Sequence, residues 1–160
     1  MKRSTLLRFC GAFLLAVLVG MPAAARTRSC SFSDTAGKYG FTLTGVVILG
    51  TSPVPIAAVG RAVLDESGNV SGTESRSVGG GFADETFTGT YTVNPDCTGT
   101  ATLAFLESGK LVRNSVLSLV FDDHQREIRM VQKSLQLPTG AFPPVVITVE
   151  ARRISTEDED

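Results

Sequence analysis

Hydrophobic and polar residues alternate along most of this chain with a period of two. Phe41 and Leu43 alternate with Thr42 and Thr44, and the same alternation recurs over 86–93. A period of two that is rich in Thr, Val and aromatic residues is typical of β-strands with one buried face. After residue 26, no window has the apolar spacing of a three-turn amphipathic helix. The pattern therefore predicts an all-β domain.

Turn-forming residues divide this alternating region into about eight strands. Breaks rich in Gly, Pro, Asn or Asp include Glu66-Ser67-Gly68-Asn69, Gly79-Gly80-Gly81 and Asn94-Pro95-Asp96. The predicted strands lie near 38–49, 56–65, 69–78, 82–93, 98–107, 110–121, 126–136 and 145–154. Long strands joined mostly by short loops favour an antiparallel up-and-down meander, which hides its edges by closing into a barrel. The predicted fold is thus an eight-stranded β-barrel, with a two-sheet β-sandwich as the alternative.

The first 25 residues have the layout of a secretory signal peptide. Lys2, Arg3 and Arg8 precede an apolar run over 9–19, which closes at Ala23-Ala24-Ala25. Small residues in this arrangement mark a cleavage site, whereas the run is too short to span a ~30 Å hydrocarbon layer. We therefore expect cleavage before Arg26 and a secreted or periplasmic protein that is not embedded in a membrane afterwards.

Charge separates the remaining chain into a nearly neutral body and an acidic end. Removing residues 1–25 leaves 12 basic and 16 acidic residues, and four of the acidic residues lie at 157–160. No basic stripe is present for phosphate neutralisation, which argues against a nucleic-acid partner. The predicted organisation is a signal peptide over 1–25, a barrel domain over 26–154 and a disordered acidic tail over 155–160.

Cys10 lies in the predicted signal peptide, so two cysteines remain after the expected cleavage. Cysteine pairs in exported proteins usually form disulfides, so we expect a bond between Cys30 and Cys97. The bond would close a loop of about 68 residues and contribute ~4 kcal/mol in the chain-entropy model. The alternative, a catalytic thiol, would require a histidine, and the lone His124 lies in a predicted turn.

Three segments carry a resemblance to a known group of proteins. They are residues 36–45, residues 57–61 together with 68–73, and residues 87–100. These segments resemble small exported bacterial proteins of unknown function, frequent in acidobacteria, and the resemblance implies export and a shared fold but no reaction. More remotely, the strand order is similar to that of allene oxide cyclase and lipocalin barrels. No catalytic residue carries over, because no motif of either family matches.

Motifs that carry catalysis or bind cofactors are missing from the sequence. No Gly-x-Ser-x-Gly, His-Glu-x-x-His, P-loop or Cys-x-x-Cys pattern occurs. His124 stands beside Asp122 and Asp123, and a polar turn explains these residues better than a metal site does. We therefore predict no catalytic residues, no metal and no cofactor.

The candidate ligand-binding residues are those expected to face the barrel lumen. They are Phe41, Phe87, Tyr91, Phe105, Arg76 and Glu85. Tyr91 is the best-placed polar group of this set. The glycine turn after residue 78 sets the partner of Arg76, which is Glu85 if the turn takes four residues and Asp84 if it takes three. A polar cluster inside the barrel and a solvated surface pair both remain open for these charges.

A non-catalytic binding or envelope-associated module that holds a small apolar ligand is the leading functional interpretation. An eight-stranded barrel is just wide enough to be filled by side chains or to hold one small ligand. The alternative is a cofactor-free cyclase or isomerase resembling allene oxide cyclase-like barrels. An outer-membrane barrel is disfavoured because the sequence has no Trp and two Tyr, too few for aromatic girdles.

Overall fold

The fold is described by a computed structural model, which describes residues 29–154. The predicted signal peptide at 1–25 and the predicted tail at 155–160 lie outside the described residues. Within the described part, one short helix precedes eight long strands. They are α1 (Phe32–Thr35), β1 (Gly37–Leu49), β2 (Ser52–Leu64), β3 (Asn69–Val78), β4 (Gly81–Tyr91), β5 (Thr98–Glu107), β6 (Lys110–Asp122), β7 (Glu127–Gln136) and β8 (Val145–Arg153).

The eight strands form one closed antiparallel barrel in simple chain order. Each strand pairs with the next, and β8 pairs with β1 from Tyr39↔Arg153 to Val47↔Val145. The predicted up-and-down barrel is confirmed, and the sandwich alternative is not observed. Closure satisfies the backbone groups that an open meander would leave unpaired at its two edges.

Strand β2 begins four residues earlier than predicted and contains two prolines. Pro53 and Pro55 pair with β1, whereas the pairing between β2 and β3 starts only at Ile56. Because no strand lies on the other side of the two prolines, their missing N–H groups leave no ladder bond unmade. The prolines therefore lie within β2, in the part of the strand that has a neighbouring strand on one side only, and they do not end the strand.

The turn between β3 and β4 is tighter than either predicted register. Val78 pairs with Gly81, so the turn contains only Gly79 and Gly80, which have φ values of +56° and +90°. Two consecutive residues with positive φ are typical of a two-residue hairpin turn, and glycine adopts this conformation without strain. Arg76 consequently pairs with Ala83 instead of Glu85 or Asp84, and both predicted registers were wrong.

Alternate residues of every strand fill the lumen, and two glycines make room for aromatic rings there. A Cβ atom at Gly60 would overlap the ring of Phe41, and one at Gly72 would overlap the ring of Phe87. Each ring thus packs against a glycine on the neighbouring strand. The edge-on contact between Phe41 and Phe87, with ring centroids 6.0 Å apart, continues this packing across the sheet.

The two ends of the barrel differ, and we name them by what lies there. The helix end carries α1 and the loops 65–68, 92–97 and 123–126, and the hairpin end carries the turns 50–51, 79–80 and 108–109 and the loop 137–144. At the helix end, a disulfide joins Cys30 to Cys97 with 5.0 Å between their Cα atoms. This confirms the predicted disulfide, which ties the segment before α1 to the loop before β5.

Candidate functional site

An apolar cavity of about 70 Å³ lies in the middle of the lumen. All eight strands contribute to its walls, and aliphatic and aromatic side chains dominate the lining. Its walls include Phe41, Leu43, Phe87, Ala101, Leu103, Phe105, Leu117, Met130 and Val149. Glu74 is the one charged residue that lines this cavity.

Four charged side chains form a buried cluster on the hairpin side of the cavity. Arg113 donates hydrogen bonds to both Glu74, at 2.6 Å, and Glu85. Arg76 donates from Nε to the other carboxylate oxygen of Glu85, and its guanidinium lies 3.6 Å from Glu107. We call Glu74, Glu85, Arg76 and Arg113 the ion cluster.

The register of β3 and β4 explains why this cluster needs Arg113. Glu74 and Glu85 are directly opposite each other, and both are almost fully buried. Two like charges in that position repel each other unless a cation lies between them. Arg113 on β6 supplies this cation from across the lumen, and its guanidinium carbon lies 3.7 Å above the centre of the Phe105 ring. The cluster is therefore a tertiary contact between β3, β4 and β6.

Burial shifts the proton affinity of the carboxyl group nearest the cavity. Desolvation raises the pKa of Glu74, and the neighbouring Arg113 guanidinium opposes this shift by stabilising the charged form. The net direction is upward because burial has the larger effect.

The cluster is internally satisfied. Among the described residues, no buried side-chain nitrogen or oxygen lacks a hydrogen-bond partner. Nothing that faces the cavity therefore requires a polar group from outside, and the arrangement favours an apolar occupant.

A second, more open pocket of about 160 Å³ lies on the other side of the ion cluster, at the hairpin end. Its walls are apolar, among them Val47, Ile56 and Val78, and both Arg76 and Arg113 line it. We call this pocket the mouth. Since Glu74 lines the cavity while the two arginines line the mouth, the ion cluster separates one from the other.

Two tyrosine hydroxyls close the lumen at the helix end. The buried Tyr39 hydroxyl lies 2.8 Å from the Thr35 carbonyl and 2.9 Å from that of Gln125, and it accepts a bond from Arg153. The Tyr91 hydroxyl donates to the Asp65 carbonyl at 2.7 Å. Burial raises the pKa of both phenols, so they remain neutral donors.

The structure brings the residues predicted for the lumen together in two groups. Phe41, Phe87, Tyr91 and Phe105 all line the cavity. Only the ring of Tyr91 is available there, because its hydroxyl is engaged with the Asp65 loop at the helix end. Arg76 and Glu85 belong to the ion cluster and do not line the cavity, although Arg76 does line the mouth.

Sequence reasoning missed Arg113, the centre of the ion cluster. A usable signal exists in β6, where Leu117, Leu119 and Phe121 occupy every second position and all face the core. Extending that parity towards the start of the strand places Ser115 and then Arg113 on the same inner face. What the pattern could not show is which carboxylates on other strands would meet this arginine.

Residues 29–154 contain no group of three or more His, Cys, Asp or Glu side chains placed to hold a metal ion. His124 lies exposed in the loop between β6 and β7, with Nδ1 3.7 Å from Asp123. Within the same described range, no helix has the length and hydrophobicity of a membrane span.

Comparison with known proteins supports the fold but gives no information about the site. Neither a scan against protein-family models nor a search of curated proteins finds a match. Among solved structures, the barrel is similar to a redesigned β-barrel, mFAP1, whose structure was determined bound to DFHBI. The two share 14% identity with a TM-score of 0.51, over 77% of this chain and 98% of that one. At this identity the similarity shows a common fold alone.

Proposed function

We propose that this protein is a non-catalytic binding module that holds a small, mainly apolar molecule in the central cavity. The observation that carries the proposal is an apolar cavity inside the barrel whose only charged neighbour, Glu74, is already bonded to Arg113. Ligand sites of this kind are concave and mostly apolar. The structurally similar redesigned barrel, solved with DFHBI bound, supports the idea that a barrel of this fold can bind a small molecule.

The size of the cavity limits the ligand. An engineered apolar cavity of ~150 Å³ accepts benzene, and the cavity here is smaller, at about 70 Å³. A ligand with a few heavy atoms fits as the walls stand. One of benzene size requires a flexible side chain to move, and Met130, an unbranched residue of the lining, is suited to that movement.

The proposal includes export to the periplasm or the cell exterior. The leader-like order of residues 1–25 supports it, and so does the disulfide, because such bonds persist in oxidising compartments. The intact mass of the exported protein tests this part. A mature chain that starts within two residues of Arg26 is expected, and a full-length chain in the membrane fraction would contradict it.

Binding is tested by calorimetric titration with toluene and phenol, which have nearly the same shape and differ in polarity. Both are slightly larger than benzene, so both require the movement of Met130. We expect toluene to bind at least about five-fold more tightly, because the phenol hydroxyl would find no free partner. Ala101→Leu fills the cavity and should abolish binding. Ala104→Leu is the matched control, since Ala104 lies on the same strand, pairs with Thr88 and Asn114, and does not line the cavity.

Melting curves of both leucine variants establish that they are folded before binding is compared. Loss of toluene binding in Ala101→Leu and its retention in Ala104→Leu would support the proposal. No binding of either compound to the unmodified protein, or equal binding to both variants, would overturn it.

A further inference from the structure

Charge is distributed unequally between the two ends of the barrel. Residues 39–60, 77–83 and 134–149 contain no Asp, Glu, Lys or Arg, and they include three of the four connections at the hairpin end. The fourth connection carries only Glu107 and Lys110. A water-soluble protein normally surrounds its turns with charge, so an uncharged end of this extent requires an explanation.

The large exposed apolar residues are concentrated at this same end. Every hairpin contributes one Leu or Phe: Leu49 is 47% exposed, Phe82 70%, Leu111 44% and Phe142 63%. Elsewhere in the described chain, the large hydrophobic residues that are exposed are valines on the outer sheet face, such as Val59 and Val131. Clustered apolar exposure marks a contact surface, whereas scattered valines do not.

The opposite, helix end carries charges of both signs. Its loops contain Asp65, Glu66, Asp96, Asp123 and Arg126. Bringing this end to a lipid interface would require these charges to be desolvated, whereas three of the four connections at the hairpin end contain no charge. The two ends therefore favour a single orientation of the barrel against a lipid surface.

We propose that the hairpin end docks on the surface of a lipid bilayer, with Leu49, Phe82, Leu111 and Phe142 inserted at the interface. Interfacial insertion requires apolar tips without charges that would have to be desolvated, and this end has that composition. A folded protein partner would instead be expected to meet a polar and charged rim. The proposal does not depend on a ligand in the lumen, although docking in this orientation would point the mouth at the lipid.

The test is co-sedimentation of the leader-free protein with phosphatidylethanolamine vesicles that contain phosphatidylglycerol. The leader is omitted because its own apolar run would bind lipid, and the described barrel begins only at residue 29. Phe82→Ser with Phe142→Ser should lower the partition coefficient by at least about ten-fold, since two large apolar side chains are removed from the interface. Val59→Ser with Val131→Ser, a pair from the outer sheet face, should leave it unchanged.

A fluorescence measurement gives an independent readout, because the chain contains no Trp. Phe142→Trp should show a blue-shifted emission when vesicles are added, and Val59→Trp should not. Vesicle binding that is absent, or equally weakened by both serine pairs, would overturn the proposal. So would a concentration-dependent dimer in sedimentation velocity that the Phe82→Ser, Phe142→Ser variant loses, because the apolar end would then be covered by a second copy.

Discussion

The helix end and the hairpin end of this barrel are closed by different kinds of interaction. At the helix end, α1, the Cys30–Cys97 disulfide and two tyrosine hydroxyls bonded to backbone carbonyls cover the lumen. At the hairpin end, the lumen is interrupted by charged side chains behind an open, apolar mouth. The first closure combines a covalent bond with hydrogen bonds to the backbone, and the second is made only of side chains.

If the lumen binds a ligand as proposed, this contrast predicts that the helix end is structural and that a ligand enters from the hairpin end. Opening the helix end would require breaking a disulfide or displacing the loop of Asp65, to which Tyr91 is bonded. Opening the path from the mouth to the cavity requires only rotation of arginine and glutamate side chains. We therefore expect perturbations at the helix end to change stability alone, and perturbations of the ion cluster to change both stability and ligand access.

The largest effect should come from Arg113→Met. This change leaves Glu74 buried without a cation and opposite Glu85, which keeps only Arg76 as a partner. The unpaired buried charge should cost about 3–5 kcal/mol in the free energy of unfolding. Urea denaturation measures the loss. Arg129→Met is the control, because Arg129 is 61% exposed and its ion pairs should be worth less than about 1 kcal/mol. If the two variants lose similar amounts of unfolding free energy, the buried ion cluster contributes no more to stability than an exposed ion pair does, and the account of the hairpin end is contradicted.

Removal of the disulfide should rank next. Cys30→Ala with Cys97→Ala should lower the free energy of unfolding by about 2–4 kcal/mol, because the unfolded chain is no longer constrained. Thermal melting under oxidising conditions measures the change. Toluene affinity in the variant that remains folded should match the unmodified protein, and a large loss of affinity would contradict the assignment of this end as structural.

A smaller effect is expected for Tyr91→Phe. The variant keeps the ring in the cavity wall but loses the hydrogen bond to the Asp65 carbonyl, which should cost about 1 kcal/mol. The Asp65 carbonyl retains its bond from the Gly68 N–H, which limits the loss. Toluene affinity should not change. A decrease in affinity together with unchanged stability would mean that the hydroxyl faces the ligand instead of the loop.

The smallest expected effect is a pH dependence that originates at Glu74. Its pKa is raised in the folded protein, mainly by burial, so the folded state holds the proton more tightly than the unfolded state does. This contribution therefore favours folding at low pH and declines as pH rises from the ordinary value of 4.5 through the folded pKa. Urea midpoints measured across that range should decline less steeply for Glu74→Gln. An identical slope in both proteins would rule out the shift.

Features that depend on residues close together in the sequence could be predicted, whereas contacts between residues far apart in the sequence could not. Alternation between neighbouring residues placed the strands. The Gly79-Gly80 turn, the loop at Asn94 and the pair Cys30 and Cys97 were visible as local signals. The register of β3 and β4 was not, because Gly79-Gly80-Gly81 permits turns of several lengths and a single residue decides which charges face each other. Glu74, Glu85 and Arg113 meet only after the barrel closes.

The same limit applies to the ends of the barrel. Nothing in the local sequence of Phe32–Thr35 has the periodicity of a helix, since one turn is too short to show it. The uncharged ranges 39–60 and 134–149 are visible in the sequence, but they gather at one end only through the meander topology. Long-range placement, and not residue type, was the missing information.

The most direct test of the central claim is a methyl NMR titration with toluene. Contacts from toluene protons to the methyl groups of Leu103, Leu117 and Val149 would place the ligand in the cavity that these residues line. We predict such contacts and none to the exposed Val59. Contacts confined to outer-face methyl groups, or no contacts at a toluene concentration near saturation, would contradict a ligand-binding lumen.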